Sequence, residues 1–272
     1  MCGADGLSMK TGLQIISTKG QGNLLLSVRP AQINGYPHST RPREGSTIMT
    51  IMKIFVVHYK KLVERKALIS SQLRASGLDA EFVEQYERGN LREQDLDIFD
   101  RRKKYGFFGP SMPKVQMAIT LSHLYAYQQI AGGHPFGLIL EDDARFDEKL
   151  ATNITESMEQ LPDKWDMLFI GDGSKLHIPA AEIIPGRKVY LKSREATPWG
   201  GDGATRCADS YLITGSCAAR LIEYSRREDR RIRLPVDWWL NQAVRELGLN
   251  VYWAEPTFVT QGTQSGLYDT SY

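Results

Sequence analysis

Three consecutive acids, Glu141, Asp142 and Asp143, follow the apolar run "FGLIL" at 136–140. Like charges this close repel, so gathering them at the end of a buried segment costs stability. In extended chain alternate residues share a face, so Glu141 and Asp143 point one way and Asp142 the other. Two oxygen ligands on one face suit a hard divalent cation, Mn2+ or Mg2+, which would in turn neutralise a bound diphosphate. A polar turn, with an Asp capping the next helix, would use the same residues without any ligand. A second apolar run, "WDMLFIGDG" at 165–173, places Asp172 between two glycines, where backbone can approach a ligand closely or simply turn. In "PVDWWL", Asp237 stands at a helix start before Trp238 and Trp239. That pattern fits a general base beside sugar-stacking indoles, but taken alone it fits better a helix cap before two core tryptophans. His58 ends the first apolar run, where ligands gather in α/β sheets, whereas His123 lies on a long helix that could bury it as a core residue.

The elements that must hold these residues alternate in type. "MKIFVVHY" (52–59) reads as a buried strand, "LVERKALISSQLRASGL" (62–78) as a helix stopped near Gly77, and "DAEFVEQY" (79–86) as a second strand. A long amphipathic helix over 113–131 opens with Pro113 and leads into a strand ending in the acidic triplet. A helix over 150–162, a strand over 165–173 and a loop-rich stretch over 174–206 carrying "GGDGATR" follow. Strand then helix over 209–227, a helix over 237–248, a strand over 250–256 and a tail over 257–272 complete the chain. The expected class is α/β: a Rossmann-like, mostly parallel sheet flanked by helices, with ligands beyond the carboxyl ends of its strands. Residues 51–272 are expected to form one domain. Residues 1–50, rich in Gly, Ser, Thr and Pro with one strand candidate at 23–28, read as a poorly ordered arm ahead of it.

Bulk composition narrows the function classes. With 34 basic and 32 acidic residues the formal net charge is +2, which gives no electrostatic reason to expect nucleic-acid binding. The basic runs "RRKK" (101–104) and "RREDRRIR" (226–233) read as solvated surface, with attraction to substrate phosphate or an anionic membrane as the other reading. Three cysteines, an odd and sparse count, argue for a reducing compartment, here the cytoplasm; peripheral contact at the inner membrane surface is the expectation that goes with the membrane reading of the basic runs. No secretory signal or membrane-spanning run is evident.

Taken in order, the motifs resemble glycosyltransferase family 25, which includes bacterial lipooligosaccharide galactosyltransferases and is related to collagen galactosyltransferases. "IFVVHYKKLVER" resembles the family's opening "V-I-N-L…D-R" pattern, with His58 for the usual Asn or Ser, Glu64 for Asp, and Arg65 matching. "TLSHL" matches the "xLSH" helix at Leu121, Ser122 and His123, and "LILEDDA" matches at Glu141, Asp142 and Asp143. "WDMLFIG", "SYLITGSCAARLI", "PVDWWL" and "EPTFVTQ" resemble "WDLLYLG", "AYLISRKGARKLL", "PVDxxL" and "PxxxxQ". The chain departs from the family at Gln116, in "VQMAI" for "GEIGC", and at "ERGNL" (87–91) for "DGKDL".

The resemblance implies a GT-A-like, metal-dependent, inverting transfer of a hexose, with galactose from UDP-galactose expected first, to a glycan or glycoconjugate hydroxyl. It implies Glu141 and Asp143 as metal ligands, with His58, Arg65, Glu141, Asp142 and His123 at the nucleotide-sugar site. Asp237 is implied as the base, with Asp172 as alternate, and Trp238 or Trp239 beside the acceptor. Two rivals are a glycoside hydrolase, which adjacent acids on one strand end would serve poorly, and an inactive nucleotide-sugar- or carbohydrate-binding module.

Overall fold

The computed structural model describes residues 52–100, 112–173, 175–192 and 203–268. The expected arm, its strand at 23–28 and the "RRKK" run lie outside the described residues. Among the described residues are five α-helices: α1 (Val63–Ala75), α2 (Lys114–Gly133), α3 (Leu150–Met158), α4 (Gly215–Ser225) and α5 (Val236–Leu247). The first five strands are β1 (Lys53–Val57), β2 (Glu81–Val83), β3 (Phe136–Glu141), β4 (Ala144–Arg145) and β5 (Met167–Phe169). The remaining strands are β6 (Val189–Leu191), β7 (Ser210–Thr214), β8 (Val251–Ala254) and β9 (Thr260–Gln261).

Seven strands form one sheet in the order β2-β1-β3-β7-β5-β8-β6, and β4 pairs β9 in a separate two-stranded ribbon. β1, β2, β3, β5 and β8 run in one direction, while β7 and β6 run against their neighbours. The sheet is thus mostly parallel, as expected, but mixed.

Strand alternation divides the core into two layers. On β1, Phe55 and Val57 face the cluster that holds α2, α4 and α5, whereas Ile54 and Val56 face the cluster that holds α1 and α3. On β3, Ile139 joins the first cluster, and Leu138 and Leu140 join the second. Burial on both faces is why these strands read as continuous apolar runs rather than alternating ones.

Two elements depart from expectation. The 174–206 stretch holds edge strand β6, which pairs β8 antiparallel, and the 257–272 tail holds β9. Both are two or three residues long among Gly, Pro and Thr, too short to show a period of two.

The topology also fixes where a ligand can sit. The chain moves outward from β1 to β2, then returns to the other side of β1 as β3. That reversal opens a crevice at the carboxyl ends of β1 and β3. Val57 and Glu141, the last residues of the two strands, are in register there.

Candidate active site

A cavity of about 440 Å³ occupies this crevice. The chain after β1 contributes His58, Tyr59 and Lys61 to its wall, and α1 contributes Arg65. Tyr86, Glu87 and Arg88 come from beyond β2, and Val115, Ala118, Ile119 and Ser122 from one side of α2. Glu141, Asp142 and Asp143 close the wall with Gln261 and Thr263.

The strand ends at Glu141, and Asp142 and Asp143 lie in the turn that follows, so their carboxylates are placed by their partners rather than by strand alternation. Asp142 turns toward the α1 layer, where its carboxylate meets His58 Nδ1 at 2.8 Å and accepts from the Tyr59 backbone N–H at 3.3 Å. It also accepts from the Arg65 guanidinium at 3.1 Å. His58 and Asp142 are 3% and 6% exposed, so this network is enclosed and binds loop, helix and strand end together.

Glu141 and Asp143 have other partners. Asp143 is 2% exposed; its Oδ2 accepts from the Thr263 backbone N–H at 3.2 Å and from the Thr263 hydroxyl. Its Oδ1 is buried without a hydrogen-bond partner. Burial, then the Glu141 charge, pushes the Asp143 carboxyl up to about 6, against the Thr263 N–H. Glu141 stays partly exposed, with its Oε1 3.5 Å from His123 Nε2.

Two residues escaped the sequence reading. Asp209 is fully buried just before β7, and its carbonyl accepts from the Glu141 N–H at 2.7 Å. Burial first, then the charges of Glu141 and Asp143, hold its carboxyl well above the usual carboxylate range. Arg206, from the "GGDGATR" stretch, is also fully buried; it donates to the Ala254 carbonyl at 2.7 Å and to Glu255 at 2.6 Å. A lone Asp before "SYLIT" and an Arg in a glycine-rich loop carry no periodic signal. Gln261 and Glu87 were within reach of sequence reading, since both lie in stretches quoted for the family resemblance.

Asp172, Asp237 and His123 are not among the residues that line this cavity; Asp172 and Asp237 are partly exposed and His123 is buried. Asp172 is near enough for its charge to act on Asp209 and Arg206, and its Oδ1 is buried without a partner. The glycines beside it are required by close packing. A Cβ on Gly171 would lie 2.4 Å from Ser210 Oγ and 2.6 Å from Asp209 Oδ2, and Gly173 has φ +41° with the Arg206 carbonyl 2.3 Å from where its Cβ would be.

Asp237, near the start of α5, accepts from the Trp238 N–H at 2.9 Å. Burial leads the causes that push its carboxyl up to about 6, with the Trp238 N–H opposing and the Glu141 charge adding. His123 is fully buried, with Glu141 3.5 Å from its Nε2 and Asp237 near enough to interact with it electrostatically. Trp239 is a core residue tilted against Tyr224, while Trp238 is half-buried.

The crevice therefore presents two mutually repelling carboxylates, an unsatisfied acidic oxygen and cationic side chains at one sheet end. The model of glycosyltransferase family 25, described as LPS biosynthesis protein, matches residues 51–240, which span the strand ends and the acidic triplet. The chain belongs to this family. Among its curated relatives, a putative glycosyltransferase, R655, of Acanthamoeba polyphaga mimivirus is 26% identical over 148 residues. That match takes in 52% of this chain and 43% of the relative. A probable inactive glycosyltransferase 25 family member 3 of Rattus norvegicus is 22% identical over 162 residues, 55% of this chain and 28% of the relative. The matches thus span less than half the length of either relative.

Among solved structures, a glycosyltransferase involved in glycosylation of the major capsid of PBCV-1 aligns over 80% of this chain and 99% of its own. That alignment has 10% identity and a TM-score of 0.32, too low to add to the family assignment.

Among the described residues of this family 25 chain, no group of three or more His, Cys, Asp or Glu side chains is placed to hold a metal ion. No described helix is long and apolar enough to cross a membrane.

Proposed function

We propose that the chain is a glycosyltransferase that binds a nucleoside-diphosphate sugar in the β1/β3 crevice and transfers its hexose to a saccharide or glycoconjugate hydroxyl. UDP-galactose is the first donor to test. The observation that carries the reading is the pairing of Glu141 with Asp143 at the cavity wall, with Asp143 Oδ1 buried and unsatisfied. Two adjacent carboxylates with an orphaned oxygen suit a Mn2+ or Mg2+ ion. An ion there would take its remaining ligands from diphosphate and water, as Mg2+ commonly does. Glu141 and Asp143 would hold that ion, which when bound would neutralise the charge growing on the departing diphosphate.

The chain's own residues supply the rest. Lys61 and Arg88 line the cavity with positive charge available to phosphate, and Tyr59 and Tyr86 offer ring faces to a base. Arg65, tied to Asp142, fixes the wall rather than standing as an independent phosphate ligand. For transfer with inversion, a base accepts the acceptor hydroxyl's proton as its oxygen bonds to the anomeric carbon. The bond to the diphosphate oxygen breaks, and UDP leaves with the electron pair. Asp237 fits that role because its carboxyl, raised to about 6, is ionised yet still basic near neutrality. Asp172 is the alternate. The family's description as LPS biosynthesis protein makes a lipid-linked glycan the first acceptor class to test, which would bring the enzyme to a cytoplasmic membrane surface.

A second reading, an inactive binding module, is favoured by the rat relative's description as probable inactive and by the Gln116 departure. Hydrolysis of UDP-galactose and UDP-glucose with Mn2+, in natural protein and Asp237→Ala, separates the two. The enzyme reading predicts turnover that Asp237→Ala loses while UDP binding persists, with activity falling below pH about 6. UDP binding with no turnover under any donor or acceptor supports the module.

A further inference from the structure

Behind Glu141 runs a buried chain of polar groups that the proposed chemistry leaves unused. His123 Nδ1 lies 2.7 Å from the Tyr211 hydroxyl, which lies 2.6 Å from the Tyr127 hydroxyl. All three residues are fully buried, and the His123 ring stacks nearly parallel to Tyr211, 8° between planes. At the far side of the imidazole, Nε2 has no hydrogen-bond partner and faces Glu141 Oε1 at 3.5 Å.

Hydrogen-bond arithmetic orients this chain. Each hydroxyl has one proton to donate, and burial holds both phenols protonated. If Tyr127 donates to Tyr211 and Tyr211 donates to Nδ1, every proton in the pair of phenols is used. Nδ1 is then the bare nitrogen, and the ring proton sits on Nε2, aimed at the Glu141 carboxylate. In the reverse order Nδ1–H donates to Tyr211, the Tyr127 proton is left buried and unused, and a bare Nε2 lone pair faces a carboxylate. Burying an unused donor and opposing a lone pair to an anion both cost free energy, so the first order wins.

We infer that His123 is a positioning residue: the Tyr127–Tyr211 pair fixes it as the Nε2–H tautomer, and that N–H holds Glu141 turned toward the cavity. The inference deepens the donor-site reading and rests on it. The 3.5 Å separation is a pre-formed contact that shortens to a hydrogen bond when a ligand orders Glu141, as such contacts commonly do on binding.

The test joins a spectroscopic and a binding readout. Nitrogen NMR of the ligand-free natural protein should show His123 Nδ1 as a bare acceptor nitrogen and Nε2 as protonated. Tyr211→Phe, which removes the hydroxyl but keeps the ring, should abolish that fixed preference. With UDP and Mn2+ as probe, His123→Leu should weaken binding about tenfold, the loss expected for one hydrogen bond to a charged group. His123→Gln, which can again present an N–H to Glu141, should recover most of it. A protonated Nδ1 in the natural protein overturns the inference, as does UDP binding by His123→Leu equal to that of the natural protein. Should the natural protein fail to bind UDP at all, the donor-site reading falls, and the tautomer measurement alone decides the relay.

Discussion

At the residue scale, the three acids of "EDD" do different work, and their variants should separate. Asp142 is the hub of an enclosed network with His58, Arg65 and the Tyr59 backbone. Removing its carboxylate takes an anionic partner from the part-buried Arg65 guanidinium and the buried His58 imidazole. Asp142→Ala should therefore lose about 3 kcal/mol of stability in denaturant unfolding, more than it loses in metal affinity among molecules that remain folded. Asp143 behaves in the opposite way. Folding raises its pKa from 3.8 to about 6, so the folded state binds the proton more tightly than the unfolded chain. Its stabilising contribution is complete below the unfolded value and is lost as pH rises through about 6. Asn cannot lose that proton. Metal-free Asp143→Asn should be more stable than the natural protein by about 2 kcal/mol at pH 8, a gap that closes toward pH 4. An equal gap at both pH values would show that the Asp143 charge is not the source of the strain.

At the element scale, the close approach of β5 and β7 sets how near Asp172 and Asp209 can come. The site of a Gly171 Cβ is already filled by Ser210 Oγ and the Asp209 carboxyl. Gly171→Ala should cost about 1–3 kcal/mol through overpacking, read as a lowered unfolding midpoint. Much of this framework was legible in the sequence, because long buried strands and helices announce themselves by composition and length. β1, β3 and α2 lie close to their expected spans, whereas Asp142 and Asp143 fall in the turn after β3, where a period of two no longer applies. The contributions of β6 and β9 were not legible, since a strand of two or three residues has no period and is defined by its partner. The same limit hid Asp209 and Arg206. Their burial follows from which strands become neighbours across the sheet, and chain order does not state that. Trp239 illustrates the converse: its type invites a sugar-stacking role, and only its position on the inner side of α5 makes it core.

At the scale of the whole molecule, the reversal of chain order at β1 brings the ends of β1, β2 and β3 to one crevice, with residues 261–263 returning from far along the sequence to complete it. Under the proposed function, this crevice is a donor site whose affinity depends on a divalent cation. The most direct test is calorimetric titration of UDP into the natural protein and Asp143→Ala, each with Mn2+ and with chelator. The account predicts binding to the natural protein with Mn2+, at least about tenfold weaker binding under chelation, and no Mn2+ dependence in Asp143→Ala. Equal UDP affinity with and without the ion, or undiminished Mn2+-dependent binding by Asp143→Ala, would contradict it.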